Sequence, residues 1–574
     1  MPRLFLPLKA ALVISVLAAL PLRAEDKPVD DPDLGAYLAA MVAASESDYQ
    51  AAAAWFARAM LSDPQNPTLL QGAVLSNLEI GEFGLAADAA ERLTKAGVKN
   101  QPAAIAILTA KAKAGDFAGL LAAQKSGLST GTLTDGLIHA WALLGAGQMT
   151  DALAEFDTIS KTKGQEAFGL YHKALAMASA GDFEGADEIL SGRAAGEIAV
   201  MRRGVIAHIE ILSQLERNPD ALAYLDRAFA GSSDPQIEDL RRRLTAGEPI
   251  QFDVARNATE GLAEVFFTLA TALIGQADDG YVLIYSRAAS QLRPDHSDAT
   301  LLTAGLLEQL GQYDMATAAY GDIKPDNPVY FVAEIGRAQA MRSAGKVDAS
   351  IEVLQSLAGS HGDILQVQTA LADALRGSEK FVEAIKVYDT ALSMIATPGP
   401  ENWALYYARG ICHERQNEFP LAEADMRKAL ELQPDEPQVL NYLGYSYVDR
   451  GENLDEALDM IKRAVKARPD SGYIIDSLAW AYFRLGRYPD ALAPMEKASL
   501  LEPVDPVVTD HLGDVYWAVG RTREAEFQWH RALSFKPTDK DATRIRKKLE
   551  KGLDAVLAEE GAPPLGAVNA ANGN

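Results

Sequence analysis

Three eight-residue stretches align without a gap: Leu440–Tyr447 reads LNYLGYSY, Ile475–Tyr482 reads IDSLAWAY, and Thr509–Tyr516 reads TDHLGDVY. Each is followed at matched distance by a small residue, a large one, a second small one and a proline. The sets are Ala457, Ile461, Ala464, Pro469; then Ala491, Met495, Ala498, Pro503; then Ala525, Trp529, Ala532, Pro537. Gly444 and Ala479 are 35 residues apart, and Ala479 and Gly513 are 34 apart. The extra residue of the first copy falls in the turn Gly451-Glu452-Asn453-Leu454. Small residues at Gly444, Ala479 and Gly513, and at Ala457, Ala491 and Ala525, let two helices of one unit approach closely. The prolines stop the second helix, because proline lacks the N–H and clashes inside a helix.

The order large residue, Leu-Gly, Tyr, Ala, aromatic, Pro resembles the tetratricopeptide repeat. A single such unit cannot bury its apolar face, so stacking is required. The resemblance implies an all-α, right-handed superhelical solenoid of helix–turn–helix repeats. Weaker copies continue upstream through Tyr406, Gly410, Ala422, Met426 and Pro434, and through Leu371-Ala372, Ala384 and Tyr388. In the N-terminal half the turn survives better than the packing residues: Gly81-Glu82-Phe83, Gly115-Asp116-Phe117, Gly147-Gln148-Met149 and Gly181-Asp182-Phe183 recur. Extending the period along the chain gives about thirteen or fourteen units.

The expected layout is a signal peptide at 1–24, a degenerate array at 25–245 and an irregular joint at 246–260. A second array covers 261–537 and is clearest at 403–537. A capping helix at 538–558 and a disordered tail at 559–574 follow. After Pro249 the chain alternates apolar and polar residues briefly, which suits an extended segment. That stretch reads either as a joint between two superhelical halves or as one longer loop in an unbroken solenoid. The helix after Pro537 carries Arg544, Arg546, Lys547, Lys548 and Lys551. It reads as a polar cap on the open end, or as a basic patch for an acidic partner.

Arg3 and Lys9 precede the apolar run Ala10–Leu20, and Leu22-Arg23-Ala24 is an acceptable cleavage site before Glu25. This is the pattern of a secretory signal, and the expected location is the periplasm. Leu22 is a less suitable residue there than Ala, so an uncleaved anchor in the inner membrane is the alternative. Loss of Arg3, Lys9 and Arg23 takes the formal charge from −25 to −28. A surface this acidic argues against nucleic acid or anionic lipid as a partner. Cys412 is the only cysteine, so no internal disulfide and no paired-cysteine metal site can form.

No catalytic constellation emerges. The eight histidines show no metal-binding spacing, and no phosphate-binding glycine loop or nucleophile elbow is present. Cys412 and His413 are neighbours, but adjacent helical residues do not face each other. The reading is a non-enzyme without cofactor or metal.

What remains is a surface. In the tetratricopeptide family the first helix of each unit lines the concave face, where peptides or folded partners lie. Carried over by position, the resemblance implies a groove of Tyr407, Asn441, Tyr445, Asp476, Trp480, Phe483, Asp510, Asp514 and Trp517. Aromatic anchors with a polar rim suit recognition; the same aromatics could instead pack between units. The basic carboxylate clamp of some members is replaced here by acids and aromatics, so an apolar or basic segment is the better ligand. The implied function is a protein–protein interaction adaptor of the cell envelope, with a membrane-anchored scaffold as the alternative. The partner is a protein or peptide, and a membrane only if the leading segment stays attached.

Overall fold

The computed structural model describes residues 33–566 apart from 195, 197–200, 232–233 and 563. The expected signal peptide at 1–24 and the last eight residues of the expected tail therefore lie outside the described residues. Among the described residues there are 31 α-helices, a 3₁₀ turn at Pro400–Asn402, and no strand.

Helices pair across short turns. Gly81 ends the helix Pro67–Ile80 in the left-handed region at φ 89°, and Phe83 two residues on is buried. Where glycine is missing, Asn417 takes the same conformation at φ 62°, as asparagine does more readily than most residues. Close approach within a pair is real. A Cβ on Gly513 would come within 2.4 Å of Trp529 Nε1 and 3.2 Å of the Ala525 carbonyl. Ala457, Ala491 and Ala525 are fully buried. Pro469, Pro503 and Pro537 each lie just past a second helix, ending Leu454–Ala467, Tyr488–Leu501 and Thr522–Ser534.

The described residues fall into two compact units, divided between Gly345 and Lys346. In the second, the first helices of successive pairs touch: Pro437–Arg450 meets Gly472–Arg484, which meets Pro506–Ala518. The second helices pack mainly between these pairs. First helices therefore form the inner layer of the array. Beyond Pro537 the helices Asp539–Lys551 and Leu553–Glu559 continue the fold, and Leu557 and Leu565 pack against its apolar core.

The first unit fills its own inner side. Helix Ala258–Leu273 packs on Thr132–Gly145, Glu166–Ser179 and Gln101–Lys113, while Asp279–Leu292 packs on Pro67–Ile80 and Gln101–Lys113. Twelve of the sixteen residues of Ala258–Leu273 are buried, as expected of a helix surrounded on all sides. Gly261 rests against the Trp141 ring, which an added Cβ would approach to 2.3 Å.

A polar network sits inside this packing. Arg203 holds the buried Glu264 carboxylate at 3.0 Å and Asp298 at 2.9 Å, and Tyr171 donates to Glu264 at 2.9 Å. Burial pushes the Glu264 carboxyl up, but Arg203, His296 and Tyr171 outweigh it and hold it at about 2. His172 receives a hydrogen bond from Trp141 Nε1 at 3.2 Å and meets Thr268 at 3.2 Å; burial lowers its ring to about 4.

The irregular stretch set by the sequence at 246–260 lies inside this first unit. Its residues 248–257 are non-helical. Ile250, Val254 and Ala255 are buried. Side chains satisfy its backbone: Ser213 and Gln214 bond Ile250, Glu210 accepts from Asp253 and Val254, and Arg293 donates to both of their carbonyls. An extended segment survives burial only when its backbone groups find such partners.

Candidate protein-interaction groove

Four first helices carry the residues in question: Trp403–Arg415, Pro437–Arg450, Gly472–Arg484 and Pro506–Ala518. Pro437 and Pro506 open their helices at the first turn, where the missing N–H costs nothing. Asp505 caps the last of the four by accepting from Val507 and Val508.

From Trp480 onward the expected groove residues engage their own chain. Trp480 stacks between Phe483, with centroids 4.8 Å apart, and His511, 4.0 Å away. Asp476 accepts from His511 Nδ1 at 3.0 Å. Burial works against a charged His511 ring, but the carboxylates of Asp476, Asp510 and Asp514 outweigh it and raise its pKa. Lys548 brings its ammonium from the C-terminal helix to Asp510 at 2.8 Å and Asp514 at 2.6 Å, fully buried. Burial and the neighbouring Asp514 raise the Asp510 carboxyl despite Lys548. Trp529 Nε1 donates to Asp514 at 2.9 Å, and Trp517 Nε1 to Asp554 at 2.7 Å. Lys548 and Arg544 thus meet acids of their own array.

Toward the N-terminal side the same layer stays open. Asn441, Tyr445 and Asp476 line a cavity of about 520 Å³ together with Tyr442, Tyr473 and Glu414. The Asn441 side-chain oxygen is buried and accepts no hydrogen bond. Tyr445 is half-buried; burial and the Asp476 and Asp449 carboxylates push its phenol up to about 12. Tyr473, by contrast, is 56% exposed. Tyr407 stands outside this cavity, edge-on to Tyr442 at 5.8 Å. Burial raises its phenol to about 12.

Tyr442 and Tyr473 were not among the residues derived from the sequence. Each is an aromatic beside or three residues before a groove position, a signal that reading position by position passes over. Tyr442 donates to Glu414 at 3.1 Å, which ties two successive first helices together.

Cys412 is buried and its thiol is raised to about 11 by that burial. His413 turns to Glu418 at 2.8 Å instead. Among the described residues no three His, Cys, Asp or Glu side chains gather as a metal site, and no helix is long and apolar enough to cross a membrane.

Residues 369–437 and 442–500 match the family described as tetratricopeptide repeat. The TPR repeat-containing protein PA4667 of Pseudomonas aeruginosa is 30% identical over 220 residues, 38% of this chain and 36% of that protein. Superkiller complex protein 3 of Mus musculus is 27% identical over 146 residues, 25% of this chain and 9% of its own length. The chain thus spans about a third or less of the length of these curated relatives. The crystal structure of the APC/C hetero-tetramer Cut9–Hcn1 aligns with 90% of this chain and 96% of that one, at 14% identity and a TM-score of 0.38. Within residues 369–437 and 442–500 the chain thus carries tetratricopeptide repeats, set in an all-helical fold.

Proposed function

We propose that the chain is a non-catalytic adaptor of the cell envelope that holds a protein segment in the open part of the second unit's inner layer. The observation that carries this is the cavity at Asn441, Tyr445 and Asp476, where an unsatisfied amide oxygen meets aromatic walls. A buried acceptor without a partner costs about 1–3 kcal/mol, which a ligand N–H removes. Three carboxylates, Glu414, Asp449 and Asp476, line the cavity against two guanidiniums: Arg450 is drawn aside onto the Phe419 ring and Glu452, and Arg415 lies 3.8 Å from Glu414. A segment pairing a Lys or Arg with apolar residues fits that chemistry.

The non-catalytic part is supported by Cys412, whose thiol is protonated and whose neighbour His413 is engaged elsewhere. The envelope part rests on Arg3, Lys9 and the apolar run Ala10–Leu20. The mass of the purified chain separates the two locations: a start at Glu25 supports a periplasmic protein, and a start at Met1 in a membrane fraction supports the anchored scaffold.

The groove is tested with a photo-crosslinking residue at Tyr473, on its rim, and a second at Phe527, 66% exposed and outside the cavity lining. We expect a discrete adduct in cells from position 473 that disappears on Asn441→Ala. The same adduct from both positions, or one insensitive to Asn441→Ala, would refute the groove.

A further inference from the structure

A second cavity lies wholly inside the first unit. It measures about 810 Å³ and is bounded by helix Asp279–Leu292, the start of helix Ser297–Gln309 and the loop 322–328. Arg287 lines it with Ser290, Gln291, Ser297, Thr300 and Lys324.

Arg287 is the unusual member. Its Nε is buried without a hydrogen-bond partner, and among the described residues no carboxylate comes within ion-pair distance of its guanidinium. Glu79, Asp322 and Tyr49 are near enough to act on it only through space; burial dominates and lowers its pKa to about 10. The guanidinium lies over the bare backbone of Gly81, where an added Cβ would stand 2.7 Å from Nη1. The other buried arginines of this unit are paired: Arg203 with Glu264 and Asp298, Arg293 with Asp253 and Asp295. A guanidinium withdrawn from water and left without an anion is costly, and its fork of donors matches carboxylate or phosphate oxygens. The cavity volume falls in the range of small-molecule sites.

We propose that this cavity is a binding site for a small ligand carrying a carboxylate or phosphate, with Arg287 as the group that receives the anion. Ser297, Thr300 and Gln291 make no side-chain hydrogen bond among the described residues and are free to complete the contact. Asp322 and Asp326 on the opposite loop also line the cavity. With Asp295, also in the lining, they disfavour negative charge away from Arg287 and favour a ligand with a neutral or cationic far end. This site shares no residue with the groove of the second unit, so either can fail alone.

The test is thermal unfolding of the full chain with inorganic phosphate, with acetyl-glycine and with acetyl-glycinamide as the uncharged control. A ligand at ten times its dissociation constant adds about 1.4 kcal/mol, a rise of roughly 2 °C or more in the first unit's transition. We expect that rise with phosphate or acetyl-glycine, none with the amide, and none for any probe in Arg287→Leu. A response to phosphate alone assigns a phosphate ligand, and one to acetyl-glycine a carboxylate. Without ligand, Arg287→Leu should unfold at or above the wild-type temperature, since it removes an unpaired buried charge. Thr300→Val gives a second variant with the guanidinium intact, and it should weaken the response several-fold. Absence of any anion response in wild type, an equal response in Arg287→Leu, or a ligand-free Arg287→Leu that unfolds well below wild type would overturn the proposal.

Discussion

Lys548 shows how one residue closes an acidic end. Its ammonium is buried between Asp510 and Asp514, which Trp529 and Arg544 also approach. Lys548→Met removes the charge and leaves two carboxylates facing each other in a buried site. Breaking a buried pair from one side costs about 3–5 kcal/mol, and urea unfolding followed by tryptophan fluorescence should show that loss. The paired change Lys548→Met with Asp510→Asn and Asp514→Asn should recover most of it, because no uncompensated charge remains.

Glu264 makes an equally specific statement about pH. Its folded pKa of about 2 lies below the ordinary 4.5. Its stabilisation is therefore present above 4.5 and is lost as pH falls toward 2. His172, lowered to about 4, favours the folded state increasingly as pH rises to 6.5. Glu79 and Glu210, both raised to about 7 with burial as the main cause, pull the opposite way between 4.5 and 7. Below 4.5 Glu79 and Glu210 no longer oppose, and Glu264 acts there with Asp187, Glu260 and Asp295, whose carboxyls are also lowered. The first unit's denaturation midpoint should fall there with decreasing pH, and Glu264→Gln should flatten that slope. An unchanged slope in the variant would show that another carboxylate governs the acid limb.

At the scale of helices, the sequence disclosed the repeat units and missed what two helices do with them. The turn glycines and the Leu-Gly-x-x-Tyr spacing were legible because each is a local constraint, a positive φ or a missing Cβ. The filling of the first unit by Ala258–Leu273 is not local. Its signal was present as the apolar stretch Val265–Ile274, too short for a membrane and apolar on every side, and a helix of that kind belongs in a core. Likewise the sequence set Asp510, Asp514 and Trp517 on an inner face without showing that the following helix would reach back to them. Gly261→Val tests the packed helix. Its added methyl groups meet the Trp141 ring, so a loss of about 1–3 kcal/mol or more is expected. Thermal unfolding should show it in the first unit's transition and leave the second unit's transition in place.

For the whole molecule the question is which parts fold by themselves. A repeat array is stabilised by neighbouring units, so a fragment folds if it keeps enough of them and ends in a polar cap. Residues 346–574 keep the units of the clearest pattern, their own apolar core running from Phe419 to Leu553, and the terminal helices that cover Trp517. The candidate groove, from Glu414 to Val507, lies entirely inside this piece. Expressed alone, residues 346–574 should be helical by circular dichroism and unfold in one cooperative transition. They should also give the Tyr473 adduct of the full chain. A fragment ending at Pro537 loses the helices that bury Asp510, Asp514 and Trp517 and should unfold at lower urea with red-shifted tryptophan emission. If 346–574 unfolds without cooperativity, the two units depend on each other for stability, and the groove must be studied only in the intact chain.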